Sequence, residues 1–110
     1  MRATQTEIVD RLTPDQRSGN ISTGSYTIVT SSSIIRSVMV KNPKRGPFAN
    51  ANQNTYLQMS INGGTKWTTI DRGGWVNVDG RPTDDTVYIT SNTNGAGYEA
   101  ILLVEDTGGE

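Results

Sequence analysis

Apolar and polar positions alternate with a period of two along most of the chain from residue 20 onward, the signature of half-buried β-strands. In residues 55–61, Leu57, Met59 and Ile61 fall on one face while Tyr56, Gln58 and Ser60 fall on the other. Residues 86–91 repeat the pattern with Val87 and Ile89 inward, and Val76 and Val78 do the same for a short strand over 75–79. Further strands are predicted over 26–30, 34–41, 65–70 and 98–104. Between them, turn clusters rich in Gly, Asn, Asp and Pro recur about every ten residues, the spacing of a sandwich or barrel of short strands. The run 100–104, Ala-Ile-Leu-Leu-Val, is apolar on both faces. It is either a central strand covered on both sides or a strand whose outer face meets a partner chain.

The expected fold is therefore all-β, an antiparallel, jelly-roll-like sandwich of about seven or eight strands over residues 21–106. Residues 1–20 are expected as an N-terminal arm and 107–110 as a flexible tail. Within the arm, Thr13-Pro14-Asp15-Gln16 fits a helix start, with Thr as cap, Pro at the first helical position and Gln reaching back. Ser18-Gly19 follows at once, so the helix would be a single turn. Ile8, Val9 and Leu12 are the apolar residues available to dock this arm on its own domain or on a neighbour.

Composition narrows the chemistry. The 110 residues include no Cys and no His, which excludes His/Cys zinc sites, Ser-His-Asp and Cys-His catalysis and a disulfide framework. No metal, cofactor or catalytic residue is expected. Ten basic against eleven acidic side chains leave a net charge of −1 with no basic stripe, an argument against nucleic-acid binding. About a third of the chain is Thr, Ser or Asn, which suits strands and polar turns. Residues 1–7 lack the apolar run of a secretory signal, and 100–104 is too short to cross a bilayer, so synthesis in the cytoplasm without membrane association is expected.

Several side chains are candidates for contacts. Trp75 falls out of phase with Val76 and Val78 and so faces outward, where it needs a partner or a ligand. The 41–54 loop is long and irregular. It holds the basic cluster Lys41, Lys44 and Arg45, able to meet an acidic neighbour, and Phe48, the chain's single Phe, which is either a plug for its own core or a contact for another chain. Tyr56, Trp67 and Trp75 are alternative candidates for stacking on sugar rings. Asp71, Asp79, Asp84 and Asp85 lie in or beside turns and lack the spacing of an EF-hand calcium loop, so they read as solvated turn residues.

Residues 60–67, Ser-Ile-Asn-Gly-Gly-Thr-Lys-Trp, resemble the Asp-box of sialidases and related propeller proteins, which runs Ser-x-Asp-x-Gly-x-Thr-Trp. Ser60, Gly64 and Trp67 match, Asn62 stands for the acid and Lys66 for the Thr. In those proteins the box is structural and recurs once per blade. A single copy implies a hairpin turn and no propeller.

From residue 34 to 106 the layout is an apolar strand, a long polar loop, TYLQMSINGGTKWTTI, a Gly turn, GWVNVDG, an Asp-rich turn, TVYITS, a Gly-Asn turn and YEAILLVED. This resembles the small β-sandwich accessory proteins of tailed-bacteriophage virions, among them decoration and head- or tail-associated proteins. The resemblance implies a non-enzymatic virion protein, most simply a capsid decoration protein. It implies contacts with neighbouring virion proteins, a homo-oligomer with a trimer as the expected number, and an N-terminal arm. A carbohydrate- or receptor-binding module on a phage head or tail is the alternative it leaves open. An enzyme acting through Asp84 and Asp85 is the third reading.

Overall fold

The computed structural model describes residues 12–21 and 26–105. Eight strands follow in order: β1 (Leu12–Ile21), β2 (Tyr26–Thr30), β3 (Ile35–Lys41), β4 (Tyr56–Ser60), β5 (Thr68–Asp71), β6 (Trp75–Asp79), β7 (Thr86–Ser91) and β8 (Ala96–Glu105). They pair antiparallel into two four-stranded sheets, β1-β8-β3-β6 and β2-β7-β4-β5. Each strand but the last passes to one in the opposite sheet or to its hairpin neighbour, and the first and last strands lie side by side. That order is a jelly roll, an antiparallel sandwich of eight strands.

The core is the meeting of the two inner faces. Ile35, Val38, Val40 and Leu102 of one sheet meet Leu57, Val87 and Ile89 of the other, all fully buried. Each such side chain contributes roughly 1.5–3 kcal/mol relative to exposure, which sets the register of every strand that carries one. Val76 and Val78 pack against the core from β6, while Trp75 and Asn77 point outward.

The run 100–104 resolves as the second strand of its sheet, between β1 and β3. Ala100, Leu102 and Val104 enter the core, and Ile101 and Leu103 lie half-buried on the outer face. In β3 a bulge between Ile35 and Ser37 shifts the register. It lets both Ile35 and Val38 face the core, and it turns Ser37 outward, where its hydroxyl bonds the side chains of Asn77 and Asp79.

The helix start predicted at Thr13 does not form. Residues 12–21 instead pair with β8 along their whole length, from Leu12 opposite Glu105 to Ile21 opposite Ala96. Ten residues of ladder outweigh one turn of capping, and Pro14 is tolerated because β1 is an edge strand. Thus residues 12–20, expected within an arm, are part of the sandwich. Ile8 and Val9, the rest of the arm and the tail 107–110 lie outside the described residues.

The inward positions of β1 are mostly polar. Arg17 bonds both carboxylate oxygens of Asp15 at 2.9 and 2.8 Å and donates to the Thr30 carbonyl of β2, closing the gap between the two sheets. These bonds hold the Asp15 carboxyl below, and the Arg17 guanidinium above, their ordinary pKa values. Charges placed this way also protect an open edge from pairing with other chains.

Candidate binding surface

The connections 42–55 (β3 to β4), 72–74 (β5 to β6) and 92–95 (β7 to β8) share one end of the sandwich. The first of these was expected to be irregular, and it is held by two buried amides that its composition does not advertise. Asn42 donates to the carbonyls of Thr55 and Ile70 and accepts from Asn50 at 2.7 Å. Asn50 donates also to the Gly97 carbonyl and accepts from the Gly97 N–H, at 2.9 and 2.7 Å. The Arg72 guanidinium donates to the Asn50 carbonyl, and Asn42 exchanges backbone bonds with Gly73 and Gly74. No buried side-chain polar atom among the described residues lacks a partner, the amides of Asn42 and Asn50 included.

Its descent onto the sheet requires Gly97. A Cβ there would lie 1.9 Å from the Phe48 carbonyl oxygen, and the bare glycine lets the loop backbone rest directly on β8. Phe48 and Pro47 thereby become the wall of a groove on the outer face of the β1-β8-β3-β6 sheet, with a volume of about 510 Å³. Two cross-strand rows from β1, β8 and β3 make the floor, Gln16-Ile101-Met39 and Ser18-Glu99-Lys41, and the register continues each row beyond the groove onto β6, to Asn77 and Trp75.

The predicted contact residues are distributed as follows. Phe48 lines the groove and is half-buried, while Trp75 stands 63% exposed on edge strand β6, opposite Lys41 and outside the groove lining. Leu12 is exposed on the same face at the opposite end of β1. Lys44 and Arg45 are exposed in the 42–55 connection, and the Lys44 stem lies across Gly73. Tyr56 points outward from the other sheet, and Trp67 sits in the β4–β5 connection. Tyr56, Trp67 and Trp75 therefore do not form a common stacking platform.

Residues missed at the sequence level are Gln16, Ser18, Met39, Glu99 and Ile101. The signal for Met39 and Ile101 was the phase opposite to Val38, Val40, Ala100 and Leu102. For Glu99 it was an acid inside an otherwise apolar strand.

The outer face of the β2-β7-β4-β5 sheet has its own apolar surface. Tyr26 and Ile28 are 54% and 52% exposed on edge strand β2, and the Tyr26 ring packs at 5.0 Å and 58° on Tyr88.

The turn residues are structural. Ser60 Oγ donates to Asn62 Oδ1 and accepts from the Asn62 and Gly64 N–H groups, and Asn62 Oδ1 accepts also from the Lys66 N–H. Trp67 folds over Gly64. At the same end, Asp85 takes two bonds from Arg81 and one from the Ile35 N–H, which together keep its carboxyl below the usual range. Asp84 and Asp85 both adopt positive φ, 56° and 49°, in the 3-10 turn Thr83–Asp85. Among the described residues no group of three or more acids is placed to hold a metal ion.

Neither a scan against protein-family models nor a search of curated proteins finds a match to this chain.

Proposed function

We propose that the chain is a structural accessory protein of a tailed-phage virion, which binds by burying surface against neighbouring virion proteins. The observation that carries this reading is the distribution of exposed apolar side chains over both broad faces of the sandwich. Tyr26 and Ile28 stand on the outer face of one sheet and Trp75 on that of the other. A module that meets one soluble ligand needs one such face, whereas a component lodged among several neighbours needs at least two. Large aromatic anchors are the residues through which interfaces concentrate their binding energy.

The test is mass spectrometry of virions purified from a phage that carries the gene. The chain is expected there in copy numbers comparable to a structural protein, and its incorporation is expected to fall when Ile28→Asp is introduced into a folded protein. Absence of the chain from purified virions overturns the proposal.

A further inference from the structure

The groove on the β1-β8-β3-β6 face goes beyond a packing role, because it is a preformed concavity with mixed chemistry. From its composition we infer that it binds a neutral oligosaccharide.

Four features select that ligand class. The wall is fixed in advance: Phe48 is presented by a loop bolted to β8 through the Asn42, Asn50 and Gly97 bonds, so little ordering remains to be done on binding. The volume of about 510 Å³ lies within the range of ordinary ligand sites. The apolar surface of Phe48, Met39 and Ile101 suits the C–H face of a sugar ring, while Gln16, Ser18, Lys41 and Glu99 line the same groove with amide, hydroxyl, ammonium and carboxylate groups suited to its hydroxyls. Lastly, the floor pairs one base with one acid, Lys41 opposite Glu99, and the Arg17 guanidinium is occupied by Asp15 and Thr30. A nucleotide or acidic glycan would call for an excess of base.

A peptide is disfavoured by the backbone. The centre of the groove floor is the face of β3 and β8, each paired on both sides, so an extended chain lying across it meets no free main-chain groups there, and the open edge of β1 lies only at the rim. Hydrogen bonds must come from side chains. The lined row from Ser18 to Lys41 crosses two strand spacings, about 10 Å, and the exposed Trp75 indole comes next in line on β6, outside the groove lining.

The experiment is an array of neutral and acidic oligosaccharides probed with the full chain, followed by calorimetric titration of the best soluble binder. Neutral saccharides are expected to bind. Glu99→Gln and Phe48→Ala are each expected to weaken binding about tenfold. Ser18→Trp, a substitution at an exposed β1 position that fills the groove, is expected to abolish it. Tyr56→Ala, on the opposite sheet, is expected to leave it unchanged. Circular dichroism and thermal melting of each variant separate lost binding from lost fold. Absence of binding across the array, a preference for acidic glycans, or affinity that survives Ser18→Trp overturns the inference.

Discussion

Gly97→Ala is the most informative single change, because the groove wall depends on what that position lacks. An added Cβ would sit 1.9 Å from the Phe48 carbonyl oxygen, 2.8 Å from its carbonyl carbon and 3.0 Å from its Cβ. Two of these three atoms are backbone, so rotating a side chain gives no relief. Restoring an ordinary contact requires the loop to withdraw by about 1.5 Å. That movement stretches the Asn50 bonds to Gly97, now 2.9 and 2.7 Å, beyond hydrogen-bonding range. Two buried bonds are lost at about 1 kcal/mol each, and the stranded Asn50 amide adds roughly 1–3 kcal/mol of desolvation, for about 3–5 kcal/mol in all. This is a large share of the roughly 5–15 kcal/mol available to a domain. Urea unfolding followed by circular dichroism is expected to show the midpoint falling with the slope unchanged. The control is Gly19→Ala, whose Cβ meets only the ring of Tyr98 at 3.2 Å, and which is expected to cost less than about 1 kcal/mol. A Gly97→Ala protein within about 1 kcal/mol of the parent would refute the seating of the loop on β8.

Asp84→Gly is expected to raise stability by roughly 0.5 kcal/mol in the same assay, since it removes a left-handed non-glycine residue whose side chain is exposed. By contrast, Asp85→Gly is expected to lower it, because the ties to Arg81 and to the Ile35 N–H go with the carboxylate. Acid titration tests the depressed carboxyls: a group whose pKa is lower folded than unfolded stabilises above its unfolded value and loses that contribution as pH falls through the folded one. Stability is thus expected to hold down to about pH 5 and to decline below the ordinary Asp value near 4, with a shallower acid decline in Asp85→Asn. Trp75→Ala is expected to leave the melting temperature of the isolated chain nearly unchanged, the indole being largely exposed, while weakening association with particles by about 2 kcal/mol or more.

What the sequence made legible follows from where the information lies. The strands 26–30, 75–79 and 86–91 were readable to the residue because Val29, Val76, Val78, Val87 and Ile89 alternate locally with polar neighbours. The turn at 60–67 was readable because Ser60, Asn62 and Gly64 bond within the same few residues. β1 was not readable as a strand. Its inward positions Thr13, Asp15, Arg17 and Gly19 carry no apolar pattern, and it is a strand only because β8 accepts it from far along the chain, Leu12 opposite Glu105 and Ile21 opposite Ala96. The groove was hidden for the same reason. Asn42 and Asn50 look like surface loop residues until Gly97 and Ile70 come to meet them, and Gly97 looks like a turn glycine until Phe48 lies on it. Trp75 could be assigned to the outside by phase, but its place in one row with Lys41, Glu99 and Ser18 needed the register of four strands.

The position of β8 has a consequence for biosynthesis. Of the described strands β8 is the last to be synthesised, and it is inserted between β1 and β3, so neither of those strands can pair on that side until β8 has emerged. At translation rates of roughly 5–20 residues per second, β3 waits several seconds with Val38 and Val40 uncovered. Chains stopped short of residue 96 are therefore expected to aggregate rather than fold to a smaller domain.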